Sequence, residues 1–179
     1  RVLAGLGSAP RGASAASYRE LGFDLVPGAG FLAATVPGAF DAWLLLLRDH
    51  GTWELDDVVA FALDYAKNGY PVLPAVVRTI DTVAPLFADH WPTSAAAWLG
   101  VRQESSSRRS EWAATLERLS ASATGGTREE RIDSVRGEWA TGFVAREIAE
   151  FVRIPHRDSS GDDHAGVITI EDLADYRAR

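Results

Sequence analysis

Glu54-Leu55-Asp56-Asp57-Val58-Val59-Ala60-Phe61-Ala62-Leu63-Asp64-Tyr65-Ala66-Lys67-Asn68-Gly69 is the stretch from which the fold class is read. Leu55, Val58, Val59, Ala62, Leu63 and Ala66 recur at the spacing that places them on one face of a helix. Glu54, Asp56 and Asp57 stand at its start, where carboxylates complement the positive end of the helix dipole, and Asn68-Gly69 supplies a stop. Beyond it, Pro71 and Pro74 forbid continuation, and Pro74 suits the first turn of a new helix reaching about Phe87. Before it, Pro37-Gly38 separates an expected short strand, Phe31 to Val36, from a helical run over about Ala39 to His50 that ends at Gly51.

The flanks read the same way. Residues 1 to 30 are rich in Gly, Ala, Ser and Pro and form connecting structure, with one short helix over Ala13 to Leu21 that Gly22 stops. After His90-Trp91-Pro92-Thr93, an Ala-rich helix ends near Trp98, and the polar stretch Gln103 to Ser110 reads as an exposed loop. Glu111 to Ser122 is a helix, Gly125-Gly126 breaks it, and a long helical run from Arg128 to about Phe151 carries Ile132, Val135, Trp139, Phe143, Ile148 and Phe151. A loop from His156 to Gly166 leads to Val167-Ile168, and Thr169-x-x-Asp172 has the form of a capping box opening a last helix through Tyr176. No internal repeat is present. The expectation is an α+β chain, mostly helical, with two or three short strands.

Composition narrows the function. The chain has 179 residues, 46% hydrophobic and 24% charged, enough for one domain with a buried core or a piece of a larger one. Eighteen Lys and Arg against 25 Asp and Glu leave a net charge of −7, which repels a phosphate backbone; Arg108-Arg109 is too small a patch to reverse that, so no nucleic-acid partner is expected. The longest apolar run, Ala42 to Leu47, stops at Arg48-Asp49-His50, short of the roughly 20 residues of a membrane span. Arg1-Val2-Leu3 runs straight into Gly5-Leu6-Gly7-Ser8, without the pattern of a signal peptide, so no membrane partner is expected and the compartment stays open between cytoplasm and periplasm or exterior. Cys is absent, which removes thiolate nucleophiles and cysteine metal sites; Met is absent too, and the chain is expected to be a fragment.

Few residues offer chemistry of their own. The histidines at 50, 90, 156 and 164 lack the helical spacing of a zinc site, so no metal is expected. His156, Asp158, Asp162, Asp163 and His164 cluster in one loop, where a solvated polar loop is preferred over a cation site because the alternating ligands of a calcium loop are missing. Gly5-x-Gly7 and Gly28-x-Gly30 lack the third glycine of a dinucleotide loop and read as turns. No G-x-S-x-G elbow exists. Trp43, Trp91, Trp98 and Trp139 could line a groove, but beside Leu and Ala they are assigned to the core. Arg11, beside a glycine-rich turn, could clamp a substrate carboxylate with its guanidinium or stand solvated at the surface.

An ordered set of phrases says more. Thr35-Val36-Pro37-Gly38-Ala39-Phe40-Asp41-Ala42-Trp43 followed by Arg48-Asp49-His50-Gly51-Thr52-Trp53-Glu54-Leu55 resembles the T-V-P-G-x-x-x-W … H-G-x-L-x-L signature of the gamma-glutamyltransferase family. Ala66-Lys67-Asn68-Gly69-Tyr70-Pro71-Val72 is similar to that family's A-x-x-G-[YF]-P-V, and Ala113-Ala114-Thr115-Leu116 to its A-A-T-L. Gly166-Val167-Ile168-Thr169-Ile170-Glu171-Asp172-Leu173-Ala174-Asp175-Tyr176 resembles G-x-[LI]-T-x-x-D-L-A-x-[YW].

The resemblance implies an N-terminal nucleophile hydrolase with a four-layer αββα fold, in which a precursor cuts itself into a large and a small subunit. Residues 1–179 would be a partial domain within the large subunit. No catalytic residue is assigned within them: the nucleophilic threonine would open the small subunit downstream, with its own amino group as base. No cofactor is implied; the partners implied are a small gamma-glutamyl substrate such as glutathione and the small subunit of the same precursor, with water or an amino acid as acyl acceptor. The family's arginine for the substrate alpha-carboxylate stands just before an Ala-Pro pair, whereas Gly7-Ser8 precede Ala9-Pro10 here and Arg11 follows. Either Arg11 substitutes, or another residue binds the carboxylate, or the acyl group differs. A cephalosporin-acylase-like amidase of the same fold, or an inactive helical interaction module, is the alternative. Helices such as Val58 to Ala66 need a covering surface, so the segment alone is expected to be poorly ordered.

Overall fold

Proline, glycine and hydroxyl caps set most of the element boundaries in the computed structural model, which describes residues 2–102 and 106–179. The chain divides into two units, Arg1–Glu54 with Ala121–Arg179, and Leu55–Ser120.

In the first unit, helix α1 (Ala15–Glu20) starts at Ser14, whose hydroxyl caps Ser17 N–H while Ser17 caps back, and Gly22 follows its end at φ +84°. The strand expected over Phe31 to Val36 is a 3₁₀ turn over Phe31–Ala33. The reason is local: Ala33 and Ala34 N–H groups donate back to Gly30 and Phe31, so no ladder partner is needed there. Helix α2 (Ala39–His50) ends at Gly51 as read. The long run from Arg128 is two helices, α7 (Arg128–Thr141) and α8 (Phe143–Phe151), broken at Gly142. A Cβ at position 142 would lie 2.2 Å from the Glu138 carboxyl carbon, and that carboxylate accepts the Phe143 N–H at 3.0 Å, opening the new helix. Helix α9 (Ile170–Asp175) carries the predicted capping box between Thr169 and Asp172. Its core joins Val36, Ala145, Val152, Ile168 and Leu173. Within the expected loop His156 to Gly166, His156–Arg157 and Asp163–His164 pair as an antiparallel ribbon, β3 and β4.

The second unit holds α3 (Leu55–Asn68), closed by Gly69 at φ +89°, then α4 (Pro74–His90), α5 (Pro92–Trp98) and α6 (Ser110–Ala121). Helix α4 runs three residues past Phe87 and keeps Pro85 inside. Tyr70–Pro71 (β1) pairs antiparallel with Ser106–Ser107 (β2), so part of the stretch read as an exposed loop is a strand; residues 103–105 of it lie outside the described residues. Val72, Ile80 and Val101 form its core. The described residues thus hold four two-residue strands in two ribbons, against the two or three expected, within a mostly helical chain. Among them no helix is long and apolar enough to cross a membrane.

The tryptophans depart from the core assignment. Trp43 is 67% exposed, while Trp91, Trp98 and Trp139 are half-buried. The run Ala42 to Leu47 is apolar on every face, so periodicity could not choose the buried one; Ala42 and Leu44 turn inward and Trp43 outward.

Candidate functional site

Arg11 sits on a turn fixed from several sides. Before it, the Ser8 carbonyl accepts Val36 N–H at 3.0 Å. Gly7 is required there, because a Cβ would lie 1.6 Å from the Val36 carbonyl oxygen. Pro10 is buried, and its carbonyl accepts Ala13 N–H at 2.9 Å. Arg11 N–H donates to Asp172 Oδ1 at 3.0 Å, and Gly12 lies under Val167, 3.0 Å from a Cβ built on it. The second Asp172 oxygen accepts Thr169 N–H at 3.0 Å and the Thr169 hydroxyl at 3.2 Å, and the residue is only 6% exposed. The Arg11 guanidinium pairs with Asp175, both side chains being largely exposed. Ser8 and Arg11 both face solvent.

A cavity of about 250 Å³ lies within the same unit, walled by Val36, Asp41, Arg136, Trp139 and Tyr176. Arg136 Nε donates to Asp41 Oδ1 at 2.7 Å and Nη1 to Asp133 Oδ1 at 3.0 Å; Arg48 Nε donates to Asp133 Oδ2 at 2.8 Å. Asp41 Oδ2 also accepts Ala178 N–H at 3.1 Å. Burial pushes the Arg136 guanidinium down, but the bonds to Asp41 and then Asp133 outweigh it and hold it above its ordinary value. Burial and the nearby Asp41 charge raise the Tyr176 phenol, which donates to Leu6 O at 3.2 Å. Alternating charges close this network on itself. Sequence reading missed it because Asp41 and Arg136 lie 95 positions apart; the one usable signal was a carboxylate in the first turn of α2 beside apolar residues.

The loop cluster considered for a cation is committed elsewhere. Asp158 Oδ1 accepts Ser160 N–H at 2.8 Å and its hydroxyl at 2.5 Å, and Oδ2 meets His164 Nδ1 at 2.9 Å. Burial pushes the Asp158 carboxyl up, yet these three contacts prevail and hold it below the usual carboxylate range. Asp163 pairs with Arg157, and His156 meets the rings of Phe31 and Phe151. Among the described residues no three His, Asp or Glu side chains converge as metal ligands. Gly28 and Gly30 serve this loop as turns: Gly28 N–H donates to Ser159 Oγ, and Gly30, at φ +96°, leaves no room for a Cβ beside Asp158.

The contacts of Ser8, Pro10 and Arg11 with Val36, Ala13 and Asp172 hold the turn at the surface. The family model Gamma-glutamyltranspeptidase matches residues 1–179, and the chain belongs to that family. It is 47% identical to the solved structure of LmbA2991HD, at a TM-score of 0.95 over 99% of this chain and 31% of that one. Against the crystal structure of cephalosporin acylase from Bacillus halodurans it is 27% identical with a TM-score of 0.72, over 99% of this chain and 31% of the other. Among curated proteins it is 50% identical over 40 residues to the glutathione hydrolase-like YwrD proenzyme of Bacillus subtilis, 22% of this chain and 8% of that protein. The chain therefore spans about a third of the solved relatives' length, and a smaller part of the curated one is matched.

Proposed function

We propose that residues 1–179 are a large-subunit segment of a gamma-glutamyltransferase-like threonine hydrolase. In this reading a precursor cleaves itself, a threonine downstream of these residues becomes the nucleophile, and a four-layer αββα fold is completed by the small subunit. The enzyme cleaves gamma-glutamyl amide bonds of glutathione-type substrates and passes the acyl group to water or an amino acid. Arg11 is the candidate for the substrate alpha-carboxylate, since a guanidinium matches a carboxylate in two parallel hydrogen bonds. The observation that carries the reading is the family match over residues 1–179, which takes in every phrase of the ordered set.

A second reading, an amidase related to the cephalosporin acylases, is favoured by Ser8 standing where the family's arginine is expected and by the likeness to the Bacillus halodurans enzyme. Both readings require self-cleavage. The denatured intact mass of the purified full-length product is expected to show two chains, the smaller beginning with threonine; one uncut chain would exclude both and leave an interaction module.

A further inference from the structure

We propose that Asp172 is the positioning residue of the Ala9-Pro10-Arg11 turn: its buried carboxylate caps α9 and, through the Arg11 amide, sets where the Arg11 guanidinium meets a substrate carboxylate. The inference rests on the reading of Arg11 given above. One carboxylate oxygen closes the capping box with Thr169, as such a box requires. The other is free of that duty and accepts the Arg11 N–H, a partner 161 residues away. A capping carboxylate that serves only its helix has no need of a distant amide, and a charge-assisted bond from a 6% exposed group is a rigid one.

The competing anchor is Asp175, one turn further along α9, which reaches the Arg11 guanidinium itself. Those side chains are 59% and 70% exposed, and pairs so exposed contribute little and exchange readily with other anions. Asp175 is thus a contact that a substrate carboxylate displaces, while Asp172 holds the backbone from which the guanidinium is presented. Val36 N–H on the Ser8 carbonyl and Val167 beside Gly12 flank the turn on either side.

The test uses the processed full-length enzyme with two donors, a gamma-glutamyl anilide and the matching butyryl anilide, which lacks the alpha-amino and alpha-carboxylate groups. Asp172→Asn is expected to raise KM for the gamma-glutamyl donor roughly tenfold, the value of one charge-assisted bond, with kcat little changed. KM for the butyryl donor should stay that of the wild type. Arg11→Ala should show the same split. If Arg11→Ala moves KM and Asp172→Asn does not, or moves it equally for both donors, the positioning role is overturned while the Arg11 reading stands. If Arg11→Ala leaves both KM values unchanged, the Arg11 reading fails and the positioning role falls with it. Should Asp172→Asn yield no processed enzyme, wild-type hydrogen exchange decides: a protected Arg11 amide supports the clamp, and an amide exchanging as in a free peptide overturns it.

Discussion

The two units of the chain tie their helices down differently. In the first, α1, α7 and α9 all begin with reciprocal capping boxes, and Arg128 donates to the Leu47 and Trp53 carbonyls around the end of α2. Charges there meet across long sequence distances, with Arg136 and Asp41 both mostly buried. In the second, α4 and α5 open at prolines without a side-chain cap, and Phe61, Tyr65 and Leu73 stand 63%, 58% and 68% exposed. The first unit joins distant helices through a mostly buried charge pair, whereas the Lys67–Glu117 pair of the second is half exposed. Large apolar side chains stand exposed in both, Trp43 and Ile154 in the first among them.

The largest effect that would sharpen this contrast lies at Asp41. Asp41→Ala leaves the Arg136 guanidinium facing only Asp133 and frees the Ala178 N–H, so the full-length protein is expected to lose about 3 kcal/mol. The denaturant midpoint reads it. A loss under about 1 kcal/mol, the range of exposed pairs, would show that the first unit is held by packing alone and erase the distinction.

What was legible in the sequence divides along a similar line. Boundaries written in local chemistry, such as Gly51, Asn68-Gly69, Pro74 and the Thr169 box, stand where they were read. Gly142 escaped because apolar spacing continues through it from Ile132 to Phe151, and only the fold of Glu138 back onto Phe143 N–H makes it a break. The strand expected at Phe31 failed for a related reason: β-branched and aromatic residues suit a strand only when a ladder partner arrives, and the chain turned at Gly30 instead. Arg11 was singled out as a candidate from its neighbours in sequence, but Asp172, which accepts its amide, was read only as a helix cap, because nothing local reports a contact across 161 residues.

A middle-sized effect concerns acid. Asp158 titrates below its ordinary value in the folded chain, so its contribution is fully present above that ordinary value and fades as pH falls through the lower, folded one. Asp158→Asn is expected to cost about 1–2 kcal/mol at neutral pH and to flatten the fall in stability across that acid window. Denaturant midpoints measured against pH for both proteins check this. An unchanged slope would mean that the ribbon of β3 and β4 is not anchored by this carboxylate.

The smallest effect is in the second unit, where Lys67 pairs with Glu117. These side chains are 48% and 50% exposed, so water and salt screen them and holding two long side chains in one geometry offsets what attraction remains. Lys67→Ala should therefore shift the stability of the full-length protein by no more than about 0.5 kcal/mol, and raising the salt concentration should remove even that. The size of the shift separates two ways in which a helix can be held. If Lys67→Ala costs as much as Asp41→Ala, the second unit also depends on charge pairing, and its exposed apolar residues are incidental. If the cost is as small as expected, the stability of α3 and α6 comes from apolar burial, at Leu55, Ala66, Ala113, Leu116 and Leu119, and the uncovered Phe61 and Tyr65 continue that surface outward.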